Sequence, residues 1–429
     1  MQGKNYPNNR KVNTMFVDKN KKIIFTITTG LIFVVILLYL RKPNDIELIS
    51  TIENDVDEEV VLNEGQINEI TVNEVTDIVE DDEKEPEITD ADTKENEEND
   101  KEDEVDINKE DVIGNDLPIE HSPENSGNFV IINSIGYEKF QFSEYNANVY
   151  IESVNSYAEN LTADKKIYNL LAPTSSEFNI PDEYRDLSGS QKDGISYAYS
   201  NMDSEIITVD AYYNFEANKD EYLYFKTDHH WTALGAYRAY ESFMKAKSEE
   251  AIPLEKYNKI DSKYKYLGSI YNMTKNERLE NNLDDIWYYE PYLSVDYLAV
   301  NRNGSSWGSR QVIFPTYFEK VNKYAAFMGG DTAFSHIKVN SGKDKKIIVI
   351  KDSYGNSFIP FLLPHYKDIY VADPRYFTDN IYDVIEENQI DEVLIINYAT
   401  VLQLPGFSQM LGDMGTISVT SPTAIKGIQ

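Results

Sequence analysis

The sequence predicts an α/β domain built on a doubly wound, mostly parallel sheet, preceded by a transmembrane helix and a disordered acidic linker. Three observations carry this. Short continuous β-branched runs, IIVI at 347–350 above all, suit strands buried on both faces. These runs alternate with stretches of helical periodicity, the pattern of strand–helix–strand crossovers. Ahead of them, an uncharged run at 23–40 leads into a long stretch that lacks any Phe, Trp or Tyr.

In chain order, residues 1–22 form a basic tail, with Lys4, Arg10, Lys11, Lys19, Lys21 and Lys22 against Asp18. Residues 23–40 carry no charge and are just long enough to cross a bilayer as a helix. No small-residue cleavage signal follows, so the run reads as a retained anchor. The basic excess before it places the N-terminus in the cytoplasm and the remainder outside the cell, a single-pass arrangement in the cell membrane. Residues 43–127 hold 32 Asp and Glu against four Lys, most of the net charge of −34. With so little apolar surface to bury, 41–128 is predicted to be an extended, disordered spacer. No basic stripe stands out, which argues against a nucleic-acid partner. The absence of Cys excludes disulfides and thiolate chemistry.

From Phe129 aromatic residues become frequent, and 129–429 reads as the folded domain. Predicted strands are 129–133, 166–173, 206–213, 221–226, 346–351, 368–372 and 392–397. Predicted helices are 143–161, 188–202, 233–247 capped by Thr232, 356–366 and 378–388. Residues 252–345 are rich in Tyr and Asn, with turn signals at Asn303-Gly304 and Gly329-Gly330, and read as an irregular, lid-forming insertion.

The segment KKIIVIKDSYGNSF places Ser353 at the carboxyl end of a parallel strand and beside a helix N-terminus. Open α/β sheets carry their chemistry there, and the local dipole favours developing negative charge. Ser353 is therefore the candidate nucleophile; its plain alternative is a helix cap. Asp228-His229-His230-Trp231 occupies the same kind of strand-to-helix position. A serine needs a base, and an imidazole base needs a carboxylate to fix its tautomer. Asp228 and His230, two apart in an extended turn, face the same side; His229 faces away, in a structural or substrate-contacting role. A polar turn holding a satisfied His pair accounts for the spacing equally well. Asp228-His229-His230 also matches the start of a Mn²⁺ phosphoesterase site, which would need Asp331, Asp352 or Asp373 as further ligands. No Asp-x-Asp motif in the folded part supports this, and no metal or organic cofactor is expected.

TDHHWTALGAYRAY, VIKDSYGNSF and YVADPRYF together resemble the DHHW family of bacterial envelope proteins. That family resembles the catalytic domains of alginate O-acetyltransferases, within the SGNH-hydrolase-like superfamily. The likeness spans roughly 129–399. It implies a permuted SGNH-like fold with Asp228 as orienter, His230 as base and Ser353 as nucleophile. It also implies a serine-dependent O-acetyltransferase or acetylesterase acting on a cell-envelope polysaccharide through an acyl-serine, supplied by an acyl-donor protein in the membrane. The sequence departs from the pattern at Lys351, where Gly ordinarily precedes Asp-Ser. About 30 residues follow Asn397, too few for a carbohydrate-binding domain. Candidate oxyanion donors are the N–H of Ser353 or Tyr354, together with Gly330 or Asn397. Arg375 and His229 are candidate substrate contacts. The alternative reading from another class is a glycan-binding or structural surface protein without turnover.

Overall fold

The computed structural model describes residues 122–416, together with the backbone of four strands nearer the N-terminus. The chain divides into two compact units, Met1–Gly114 and Asn115–Gln429. The strands of the first are β1 (Lys22–Thr28), β2 (Leu37–Lys42), β3 (Asp45–Ile49) and β4 (Val56–Asn63); β1 pairs antiparallel with β4, and β2 with β3. The run expected as a membrane helix thus has a strand at each end, consistent with its β-branched Ile23, Ile24, Thr26, Ile27 and Thr28. Residues 29–36, between these strands, lie outside the described residues, as does the basic tail before β1. Among the described residues no helix is long and apolar enough to cross a membrane. Two strands, β3 and β4, fall within the stretch expected to be disordered. Residues 64–121 are outside the described residues.

In the second unit β5 (Glu124–Ser126), β6 (Phe129–Ile132) and β7 (Ile135–Glu138) form an antiparallel meander. Helix α1 (Glu144–Asn160) starts at Ser143, whose hydroxyl accepts the Asn146 N–H. Then come β8 (Lys166–Ala172), α2 (Gln191–Asn201), β9 (Ile206–Thr208) and α3 (Ala233–Ala246), the last capped by Thr232 as expected. The antiparallel pair β10 (Asn258–Tyr266) and β11 (Asp284–Glu290) precedes β12 (Val295–Val300), β13 (Ser306–Ser309) and β14 (Phe334–Val339). The chain continues through β15 (Lys346–Lys351), α4 (Gly355–Phe358), β16 (Asp368–Ala372), α5 (Ile381–Glu387), β17 (Glu392–Tyr398) and α6 (Pro405–Asp413).

Eight strands form one sheet in the order β13-β12-β14-β16-β15-β17-β8-β9. From β16 to β9 every pairing is parallel; β14, β12 and β13 extend the sheet antiparallel. The sheet is therefore mixed, and its antiparallel edge comes from the stretch 252–345 read as irregular. Side chains of β15 alternate between two cores: Ile347 and Val349 pack with Trp231, Phe243 and Phe358, while Ile348 and Ile350 pack with residues of α1 and α5. Burial on both faces is what its unbroken β-branched run foretold.

Three local expectations are corrected. The strand at 206–213 stops at Thr208, and the chain turns into a short helix at Tyr212–Ala217. The segment 221–226 joins no sheet; Phe225 and Leu223 pair with His230 and Thr232 as the chain doubles back on itself. The helix over 356–366 is α only to Phe358 and 3-10 over Ile359–His365, because Pro360 and Pro364 have no N–H to donate.

Candidate active site

Two turns meet at the carboxyl edge of the parallel strands. One follows β15. Its Asp352 accepts the Tyr354 N–H at 2.9 Å, the Tyr398 N–H at 3.0 Å and Asn397 Nδ2 at 3.2 Å. That fastens the Ser353 turn to the end of neighbouring β17. The other turn is the doubled-back DHHW segment. Trp231 is fully buried and its Nε1–H donates to the Tyr354 carbonyl (3.0 Å) and to Ser357 Oγ (2.9 Å), docking one turn on the other. A buried indole N–H needs such a partner, so the fourth letter of DHHW sets the distance between the first three and the serine.

Docked this way, His230 Nε2 lies 2.7 Å from Ser353 Oγ and His230 Nδ1 lies 2.6 Å from Asp228 Oδ1. Asp228 is 1% exposed and accepts from four donors: the His230 ring and N–H through Oδ1, the Tyr266 hydroxyl (2.6 Å) and the Ser269 N–H (2.7 Å) through Oδ2. Burial alone would raise its pKa. The facing imidazoles and the Tyr266 hydroxyl outweigh it and hold the carboxyl well below the usual range. Gly268 is required here, since a Cβ would fall 2.3 Å from the Asp228 Cβ. Behind the turn, Asp284 of β11 accepts the N–H groups of Lys226 and Thr227 and the hydroxyls of Thr227 and Tyr222.

The Tyr324 ring stacks on the His230 imidazole, with centroids 3.8 Å apart and planes 11° apart. Its hydroxyl bonds to the Ser353 carbonyl (3.2 Å) and to Ser357 Oγ (2.9 Å). One side chain therefore fixes the imidazole plane and the serine backbone together. His229 turns the other way, as its place in the extended turn suggested. Its Nδ1 meets Ser269 Oγ at 2.5 Å and its carbonyl accepts the Tyr354 hydroxyl at 2.5 Å. Burial, reinforced by His230, pulls its pKa down to about 3, so it is neutral near pH 7.

The other expected donors are engaged within the protein. Tyr354 N–H bonds Asp352, Gly330 N–H bonds the Phe327 carbonyl at 3.1 Å, and Asn397 lies between Asp352 and the Tyr150 hydroxyl. The Ser353 N–H has no such partner among the described residues. Arg375 is clamped: Nε and Nη2 bond Asp373, and Nη2 also bonds Asp331 at 2.8 Å. Lys351, in the place of the usual glycine, is 1% exposed, with Nζ 2.7 Å from Asp331 and 3.3 Å from Asp373. Asp331 and Asp373 are thus matched by cations rather than open to a metal. Asp228, His229 and His230 offer ligand atoms within 4.8 Å of one another, but none of the other three Asp joins them among the described residues.

Sequence reasoning missed Tyr266, Ser269, Asp284 and Tyr324. All four lie in 252–345, and no spacing linked them to the DHHW turn. The crowding of Tyr in that stretch was the one available signal.

Fold and site together define an α/β protein with a hydrogen-bonded Asp–His–Ser chain at the carboxyl edge of a parallel sheet. The chain belongs to the DHHW family, whose model, described as DHHW protein, matches residues 43–372. A solved DHHW family protein from Eubacterium siraeum is similar at 25% identity and TM-score 0.61, covering 71% of this chain and 100% of that one. Bacillus cereus PatB1, solved with a sulfonyl adduct, shares the fold at 18% identity and TM-score 0.55, covering 64% of this chain and 97% of that one. A second solved structure of Bacillus cereus PatB1 gives TM-score 0.54 at 18% identity, covering 66% of this chain and 97% of that one. No curated protein sequence matches.

Proposed function

We propose that this protein is a serine-dependent O-acetyltransferase or acetylesterase acting on a cell-envelope polysaccharide through an acyl-serine. The observation that carries the reading is the 2.7 Å contact between His230 Nε2 and Ser353 Oγ, with Asp228 on the far nitrogen. His230 takes the Ser353 proton as Oγ attacks the acetyl carbonyl. The Ser353 N–H faces the developing oxyanion. As the tetrahedral adduct collapses, His230 returns the proton to the departing oxygen and acetyl-Ser353 remains. A sugar hydroxyl, or water in the esterase case, then attacks while His230 takes its proton, releasing acetyl sugar or acetate and restoring the serine. Asp228 holds the Nδ1–H tautomer and stabilises the imidazolium. Arg375, its Nε and Nη2 held by carboxylates, offers Nη1 to a substrate oxygen, and His229, close enough for the Arg375 charge to act on its ring, is the second substrate contact.

The reading extends to the cell envelope. The uncharged run 23–40 anchors the chain with the domain outside, and a membrane acyl-donor protein supplies the acetyl group. Protease added to intact cells is then expected to release the folded domain; a domain cut only after lysis contradicts this placement. Lys351 in place of glycine favours the second reading, glycan binding without turnover. Hydrolysis of p-nitrophenyl acetate decides between them. The wild-type chain is expected to be active, Ser353→Ala inactive, and EDTA without effect. An inactive wild type supports the binding reading. Activity lost to EDTA and restored by Mn²⁺ supports the phosphoesterase.

A further inference from the structure

A second buried His–Asp pair lies away from Ser353, in an open groove of about 900 Å³. Its floor is formed by Phe334, His336 and Lys338 of β14 with Asp368 and Tyr370 of β16, and it reaches Lys346 at the start of β15, the end of that strand opposite the serine. His336 and Asp368 are each 6% exposed, with Nε2 and Oδ1 2.8 Å apart. The Tyr370 ring stacks on the imidazole at 4.2 Å and 10°, fixing its plane. Three lysines surround the pair: Lys338 and Lys367, both exposed, and Lys346, whose Nζ also donates to the Asn388 carbonyl at 2.7 Å. Arg310 and Asp296 at the rim neutralise each other as an ion pair. Glu387 is the other acid of the lining. Residues 128–429 carry 41 Asp and Glu against 28 Lys and Arg, so this gathering of cations is not the domain's average character.

We propose that this groove is a second binding site, for an anionic saccharide unit bearing a carboxylate or phosphate. Asp368 accepts from Nε2–H, which leaves Nδ1 of the neutral imidazole as an acceptor. Nδ1 has no hydrogen-bond partner among the described residues, and His336 lines the groove. An acceptor of this kind takes a hydroxyl and repels an anion. The lysines do the reverse and bind an anionic oxygen through charge-assisted hydrogen bonds. A ligand satisfying both carries a hydroxyl and an anionic group a few ångströms apart, as acidic sugars and sugar phosphates do. Burial holds the His336 pKa below its ordinary value, which keeps Nδ1 an acceptor at neutral pH. The assignment rests on the groove alone and is independent of the chemistry at Ser353.

Calorimetric titration of the full chain tests it, with trigalacturonate, glucose 6-phosphate, inorganic phosphate and maltotriose as probes. One of the two acidic sugars is expected to bind saturably at one site, at least tenfold more tightly than maltotriose or inorganic phosphate. The better of the two identifies carboxylate or phosphate as the anion. Lys338→Glu combined with Lys367→Glu, both at exposed positions, is expected to weaken that binding at least tenfold. His336→Phe, which keeps a flat ring, should weaken the sugar acid and leave inorganic phosphate unchanged. Ser353→Ala and sulfonylated protein should bind as wild type does. The site is refuted if neither acidic sugar saturates, if maltotriose or phosphate binds equally well, or if the lysine variants bind unchanged. Loss of binding on sulfonylation instead puts the ligand at Ser353 and overturns the second site while leaving the proposed reaction standing.

Discussion

Two imidazoles in this domain are built almost alike. His230 lies 2.6 Å from the Asp228 carboxylate and His336 2.8 Å from Asp368; each pair is buried, and each ring stacks flat on a tyrosine, Tyr324 or Tyr370. The far nitrogen separates them. That of His230 meets a serine at a strand end, whereas that of His336 meets open groove. A carboxylate and an aromatic ring orient an imidazole without making it a base for anything. Reactivity needs the third group, and the sheet supplies it only where β15 ends.

The comparison breaks most visibly at the third group. Ser353→Ala and His230→Ala should each lower esterase or transferase activity by at least about a thousandfold, and the double variant should lose little more, because such groups act as one unit. Asp228→Asn should cost roughly 10⁴-fold in kcat by favouring the wrong tautomer. His336→Phe, by contrast, should leave kcat within about twofold, as expected for a side chain that touches no reacting atom. A large kcat loss there contradicts the separation of the two pairs.

Next in size are the groups that hold His230. Stacking of an imidazolium on an aromatic face is worth about 0.5–2 kcal/mol, so Tyr324→Leu should cost roughly 2- to 30-fold in kcat/KM. Tyr324→Phe keeps the ring and should recover part of that loss while losing the hydroxyl's hold on Ser353. Tyr266→Phe removes a hydrogen bond to a carboxylate, worth about 1.5–3 kcal/mol, and should lower both Tm and kcat. His229→Ala should cost less activity than any of these, since its ring nitrogen bonds Ser269 rather than Ser353.

A separate expectation concerns stability rather than activity. His365, bonded to the Tyr240 hydroxyl at 2.6 Å, is held by burial at a pKa of about 4, against about 6.5 when unfolded. Between those values the unfolded chain binds the extra proton, so stability contributed above pH 6.5 is lost as pH falls towards 4. His365→Gln should therefore lose less Tm than wild type across that window. Equal losses in the two proteins contradict the assignment.

The parallel strands β8, β15, β16 and β17 were legible because each is a largely apolar run, and Ser353 because it follows β15; Asp228 and His230 were legible from their spacing within the DHHW turn, although no sheet strand directly precedes that turn. The antiparallel edge was not. In β12, VDYLAV, buried Val295 and Tyr297 alternate with exposed Asp296 and Leu298, a pattern submerged in a Tyr- and Asn-rich stretch. Tyr266 reaches the site from the end of β10, in the separate β10-β11 pair, and Tyr324 from the loop between β13 and β14, so their roles depend on a chain path that no local pattern encodes. The strand expected at 221–226 failed for a related reason. Its alternation was real, but its hydrogen bonds are taken by the returning residues 230–232.

Peptide mapping after treatment with phenylmethanesulfonyl fluoride tests the central claim most directly. The wild-type chain should gain one sulfonyl group, on Ser353, with labelling lost in Ser353→Ala, slowed at least about a hundredfold in His230→Ala, and unaffected in His336→Phe. Labelling that spares Ser353, or that proceeds at the wild-type rate without His230, would contradict it.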